Sequence, residues 1–316
     1  MANTLLTPDV IASQALATLY ESTVMLPLVY TDVSADFTAA KVGDTVTIRK
    51  PATFTANEFT RGSGITVQDA TETGIPVVLN KIIDVSFEVT SEQLLLDLDS
   101  FTEQLLAPAM EAISQKVDKD LLGLRSNITQ VAGTGTVTDP ANAAYDASLV
   151  WNRPEVLIEA GRLLDIKNVP ERNRRAVTGP TTKAKWLNSD ILKHADKSNS
   201  TDALRRASIG NDVFGFEAFQ TQNVGQPKAV GAQVSGDPTT EIGVAFHPYA
   251  FAFVSAPLPA APGSNSAVLS YKGLNLRITS DYSLERKATV FSIDTFYGVK
   301  TIDANRAVLL KGIDKA

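Results

Sequence analysis

Two histidines, no cysteine and a few paired carboxylates leave this chain few routes to chemistry. His194 and His247 could serve as imidazole bases or metal ligands, but they lie in different segments and neither has a second carboxylate at ligand spacing beside it. His247, between Phe246 and Pro248 in an apolar stretch, reads as a satisfied structural residue, and His194, among Lys193, Asp196 and Lys197, as a solvent-facing one. The run Val177-Thr178-Gly179-Pro180-Thr181-Thr182-Lys183 follows a strand and opens a helix, as a phosphate loop does. It lacks the glycine directly before the lysine and carries a proline where backbone donors are needed. The glycine pairs Gly62-Ser63-Gly64 and Gly133-Thr134-Gly135 read as turns, and there is no Gly-x-Ser-x-Gly nucleophile elbow. Asp97 with Asp99, or Asp118 with Asp120, could bind a cation, but helix residues two apart do not face each other. Both pairs are therefore expected at exposed polar positions. No catalytic, metal or cofactor site is expected, and the chain reads as a non-enzyme with no cofactor.

The elements that would position any site come from composition and periodicity. A chain of 316 residues, 44% hydrophobic and 20% charged, can bury a sizeable core, expected as two lobes. Its apolar runs, such as residues 250–254, fall far short of the roughly 20 residues of a membrane span, and no basic n-region with a following apolar core opens the chain. The lack of cysteine excludes disulfides and thiol catalysis and fits a reducing cytoplasm. The net charge of −6 disfavours a dedicated nucleic-acid binder. Its distribution is uneven: residues 1–152 are strongly acidic, whereas residues 153–206 hold 12 Lys and Arg against 7 Asp and Glu. Two readings stand, solvated faces or head-to-tail complementarity between copies. The basic set Arg172, Arg174, Arg175, Arg205 and Arg206 lacks interleaved aromatics and flanks turns, which favours an inter-subunit role over phosphate contact.

Residues 42–90 read as a long two-stranded arm with almost nothing of its own to fold against. Its strand-like runs are 44–49, 75–79 and 82–89, the last alternating apolar and polar residues, and Arg61, Gly62, Ser63 and Gly64 form the expected tip. An isolated hairpin is marginal in water, so its support is expected from a neighbouring copy. Helices are expected over residues 9–24 and from Phe101 to Leu124, where Leu105, Ala109, Ile113, Val117 and Leu121 form one buried stripe and Pro108 should kink the rod. A third helix is expected over residues 154–168 and a fourth from Pro180 through Trp186 and Ile191. Strands are expected at residues 174–178, 215–220, 241–246, 274–279, 287–296 and 299–310, with a short apolar helix at 248–254.

This order resembles the HK97-like fold of tailed-bacteriophage major capsid proteins, and within it the group similar to the P22 coat protein. The residues that carry the resemblance are Val42-Gly43-Asp44-Thr45-Val46, Asp84-Val85-Ser86-Phe87, Lys116-Val117-Asp118-Lys119-Asp120-Leu121-Leu122, Asn168-Val169-Pro170-Glu171-Arg172 with Arg175-Ala176-Val177-Thr178-Gly179-Pro180, the loop and strand from Gly210 to Asn223, Asp281-Tyr282-Ser283, and Ile293-Asp294-Thr295-Phe296-Tyr297-Gly298-Val299. The resemblance implies an α+β fold with an N-terminal arm (1–41), an extended E-loop hairpin (42–90), a peripheral domain with the spine helix (91–150 and 256–300) and an axial domain (151–255 and 301–316). It implies self-assembly through hexamers and pentamers into an icosahedral shell enclosing packaged double-stranded DNA, held by confinement. Implied partners are a portal protein, a separate scaffolding protein or none at all, and a cement protein, with no membrane. The implied location is the virion capsid, assembled in the bacterial host cytoplasm. An encapsulin-like compartment shell around a cargo enzyme is the alternative.

Overall fold

The computed structural model describes residues 15, 23–31, 45–50, 56–57, 61–62, 67, 73–90, 105–135, 149–193, 213–260, 263, 265–271 and 273–316. Strand β1 (Thr45–Lys50) and β2 (Thr73–Val78) form an antiparallel hairpin base, in register from Thr45 opposite Val78 to Lys50 opposite Thr73. After two residues β3 (Lys81–Thr90) begins. Its burial alternates along the strand, leaving Ile82, Asp84, Ser86 and Glu88 outward, as the period of two requires.

The expected arm is thus shorter than residues 42–90, which is a correction. Strand β3 belongs to the body, where it pairs over its whole length with β11 (Ala288–Thr301). The hairpin base is seated too: Val46, Ile48, Val77 and Leu79 pack on Ala252, Val254 and Ala256, with Tyr30, Phe296 and Ile302 at the margin. At Gly298 the crossing is so close that a Cβ would lie 2.2 Å from the Val78 carbonyl oxygen. Alternation in 82–89 predicts a half-buried strand without saying what buries it.

The spine is α1 (Ala107–Gly123), 17 residues and about 26 Å long. Pro108 sits in the first turn of this α-helical stretch, directly after the π-helical residues 105–106, where its missing N–H costs no α-helical ladder bond. Residues 101–104 of the expected helix lie outside the described residues, as does the helix expected at 9–24 save Ala15 and the residues from Thr23 on. Ala109, Met110, Ile113, Val117 and Leu121 face inward. They meet Met25, Leu26 and Leu28, the inner face of the first sheet through Leu274, Leu276, Ile278 and Ile293, and Phe246 and Val244 of the second sheet.

The first sheet runs β3-β11-β10-β9, with β8 (Phe251–Ala256) on the far half of β11, β9 at Asn265–Tyr271 and β10 at Leu274–Ser283. The helix expected at 248–254 is instead a 3₁₀ turn, Pro248–Ala250, followed by the buried strand β8. An apolar run of this length suits either state until pairing partners decide. The second sheet runs β4-β12-β7-β5-β6, made of Val131–Ala132, Ala307–Leu310, Gly243–Phe246, Arg175–Thr178 and Glu217–Gln220 in that order. A 3₁₀ turn at Ala304–Arg306 separates β11 from β12, in place of the single strand expected over 299–310. One face of this sheet carries α2 (Val156–Ile166) and α3 (Pro180–Leu187), through Val156, Leu157, Ala160 and Leu164 against Trp186, Phe216, Ala245 and Val308.

Candidate assembly surfaces

The two carboxylates expected on the surface of the spine are its main internal anchors. Helix residues two apart diverge by about 200°, so Asp118 and Asp120 enter different interfaces. Asp118 is 1% exposed, and its two oxygens accept the backbone N–H groups of Val24 at 3.1 Å and Met25 at 2.9 Å. Burial outweighs these bonds and a further one from Asn223, and lifts the carboxyl to about 6. Asp120 accepts from the Tyr297 hydroxyl at 2.8 Å and from Lys81 at 2.9 Å, with Lys116 at 3.2 Å. Burial alone would raise its carboxyl, but the bonds from Lys81, Tyr297 and Lys116 together hold it below the ordinary value. Burial and that carboxylate push the Tyr297 phenol upward. Asp118 shares a face with Leu121 and Leu122 at the i+3 and i+4 positions, the sequence signal that would have placed it inward.

No phosphate cradle exists at residues 177–183, because the chain supplies its own anion. The Glu241 carboxylate accepts the N–H of Thr181 at 3.1 Å, the N–H of Thr182 at 2.8 Å and the Thr182 hydroxyl at 3.0 Å, filling the N-terminus of α3. Burial works against it, yet these donors and Gln226 hold the Glu241 carboxyl below its usual range. Replacing Glu241 by Ala is expected to cost about 2 kcal/mol, the upper range of a lost cap, with buried donors left open. Thermal unfolding checks this, and a variant as stable as wild type would contradict it.

His247 is the structural residue expected. It is 6% exposed, its Nδ1 accepts the Tyr249 N–H, and its ring stacks on Tyr249 at 5.6 Å. Burial and then Arg306, Arg175 and Arg174 depress its basicity. His194 lies outside the described residues. Among the described residues no three His, Asp or Glu side chains gather as a metal site, and no helix is long and apolar enough to cross a membrane.

The three described arginines of the basic set, Arg172, Arg174 and Arg175, do not form one surface. Arg174 is 5% exposed and spent inside the lobe, donating to the carbonyl oxygens of Pro170 and Val169 and pairing with Asp165. A turn closing over an arginine gives its fork several acceptors at once. Arg175 donates to the Leu28 carbonyl oxygen at 2.6 Å and lies 3.6 Å from Glu217. Arg172 is exposed, and Arg205 and Arg206 lie outside the described residues. On the hairpin, Arg61 and Gly62 form an exposed turn, Val67 is 86% exposed, and Ser63 and Gly64 lie outside the described residues. Other exposed apolar side chains include Tyr282, next to last in β10, Leu284 on the turn that follows, and Val230, Val234 and Ile313 beside the C-terminus. The arrangement offers anchors and projecting surfaces, which suit mechanical assembly.

No protein-family model matches the chain, and no curated protein matches it in sequence. Solved structures do match. A structure from Mycobacterium phage Che8 is similar with a TM-score of 0.60, covering 91% of this chain and 90% of that one at 20% identity. The capsid of Ralstonia phage GP4 is similar at 0.58, over 92% and 88%, at 10% identity. A virus-like particle from Pyrococcus furiosus is similar at 0.50, over 95% and 97%, at 11% identity. At these identities the likeness is one of fold. The expected α+β, HK97-like capsid architecture is the one found.

Proposed function

We propose that this chain is a shell-forming major capsid protein whose work is mechanical: copies tile a closed icosahedral container around packaged double-stranded DNA of a tailed phage. The single observation that carries the reading is the nearly whole-length match of its fold to that of a phage capsid, 92% of this chain against 88% of the other. The grouping with P22-like coats is part of the proposal, resting on the sequence resemblance. In this reading the first sheet with α1 is the peripheral domain and the second sheet with α2 and α3 the axial domain. Residues 251–256, hydrogen-bonded to β11, go with the former. The chain between Lys50 and Thr73 is the part that laps a neighbour, and Arg61, Gly62 and Val67, all exposed, are its contact candidates with Ser63 and Gly64.

Arg172, with Arg205 and Arg206, is read as the basic side of a head-to-tail contact in hexamers and pentamers. Arg174 and Arg175 support it from within. The acidic net charge suits DNA held by confinement, since phosphate adhesion would need the opposite sign. A portal protein, a separate scaffolding protein and a cement protein complete the set of partners, with assembly in the host cytoplasm. The likeness to the Pyrococcus furiosus particle favours a second reading, a compartment shell around protein cargo.

Electron microscopy of the purified full chain is expected to show closed particles of uniform size. Monomers that never assemble, or open rods, would overturn the proposal. Nuclease-protected double-stranded DNA in particles from infected cells separates the capsid from the cargo compartment, which would hold protein and no DNA.

A further inference from the structure

Residues 23–31 cross the molecule as a strap held at three points. Asp118 of α1 takes the Val24 and Met25 N–H groups, Arg175 of β5 takes the Leu28 carbonyl oxygen, and Tyr30 exchanges backbone bonds with Phe251 and Phe253 of β8. Met25, Leu26 and Leu28 are buried beneath it. Beside the first anchor lies an open groove of about 460 Å³ lined by Val24, Glu111, Ser114, Gln115, Asp118 and Asn223, among others. Water and protons therefore reach a carboxylate that the strap otherwise seals.

We propose that local opening of this strap is coupled to proton loss at Asp118, so that the closed strap is a proton-stabilised lock between the spine helix and the second sheet. Asp118 is the one carboxyl in the contact. The strap segment Thr23–Met25 and the turn Thr221–Asn223 bring no charge to it, and among the described residues the only other titratable group on the groove wall is Glu111, exposed two turns earlier on the same helix. Each Asp118 oxygen accepts one strap N–H, so the proton takes a second lone pair of one oxygen, keeps both strap bonds in place and gives Asn223 a donor in place of an acceptor. The direction follows from burial: the closed state holds its proton up to about pH 6, whereas the open, hydrated carboxyl releases it near 3.8. The stabilisation is complete below the lower value and is lost as pH rises through the upper one.

Hydrogen exchange of the purified full chain tests this, with intrinsic rates corrected at each pH and a peptide over β12 as internal reference. Protection of the peptide covering residues 23–31 is expected to fall on the order of twentyfold between about pH 4.5 and about pH 7.5, levelling off above the upper value. Asp118→Asn, a mimic of the protonated acid, should remove that fall, and Glu111→Gln should keep it. Should Asp118→Asn prevent folding, Asn223→Asp places a second carboxylate on the same proton and should move the fall to higher pH. A wild-type strap with constant protection, a fall that survives in Asp118→Asn, or an unmoved midpoint in Asn223→Asp would each overturn the proposal. The coupling is a property of one chain, so its outcome does not depend on whether shells form.

Discussion

A chain lacking residues 51–72, with Lys50 joined to Thr73 through Asn-Gly, is expected to fold normally and to form no closed shell. Lys50 and Thr73 already face each other as the last pair of the hairpin base, and Asn-Gly is the two-residue turn whose twist suits an antiparallel pair. The deletion leaves the described members of all three hydrophobic clusters in place, since none of them lies between 51 and 72. A melting temperature within about 2 °C of wild type is therefore expected, well under the shift of one lost core contact. What disappears is a segment whose described residues are all exposed and which, in the proposed function, finishes its burial on a neighbour. A wider cut through residues 50–80 would not isolate that role. It removes Val77 and Leu79, 0% and 3% exposed, at about 1.5–3 kcal/mol each. Electron microscopy beside calorimetry decides the matter: shells at wild-type yield from the short deletion would show that the loop is dispensable and the lapping assignment wrong.

Asp120→Ala is expected to destabilise the subunit by about 3 kcal/mol, on the scale of removing one partner from a desolvated network. The Asp120 side chain is 12% exposed and joins three elements at one point: α1, the first residue of β3 through Lys81, and β11 through the Tyr297 hydroxyl. Without it the Tyr297 hydroxyl and the Lys81 ammonium lose a shared charged acceptor at the place where the spine meets the first sheet. Tyr297→Phe should cost about 1 kcal/mol, since it removes one bond and leaves the carboxylate its two lysines. Lys81→Ala should cost less again, because the Lys81 side chain is 36% exposed and water replaces it. The sign of the pH effect is fixed by a carboxyl held below its ordinary value. Its contribution is present above pH 3.8 and is lost as pH falls below that, so wild type and Asp120→Ala should converge in acid. Denaturant unfolding at neutral pH and in acid below that value measures both halves. A neutral-pH difference under about 0.5 kcal/mol would show the network to be ornamental, as exposed ion pairs are.

The contrast between Asp118 and Asp120 shows where reading the sequence alone goes astray. The rule that residues two apart do not share a helix face is sound, and it separates the pair as expected. Polarity suggests solvent for both, whereas one carboxylate meets strap amides 93 and 94 residues away and the other a tyrosine 177 residues away, with Lys81 brought to it by β3. The same holds for the basic set. Arg174 and Arg175 are adjacent in sequence and serve opposite sides of the second sheet lobe, one closing its own turn and the other gripping the strap.

Local patterns determined much about this protein: the apolar stripe of the spine, the alternation of β3, the turns of the second lobe, the structural role of His247 and, through the order of these pieces, the fold class. Those are properties of neighbours within a few residues, where helix and strand periods act directly. Only the tertiary structure decided that β3 belongs to the body, that residues 251–256 are a strand and not a helix, and that two spine carboxylates and Glu241 are internal anchors. Each of these depends on partners far away along the chain, and the stability of a strand or a buried charge lies in those partners and not in its own side chains.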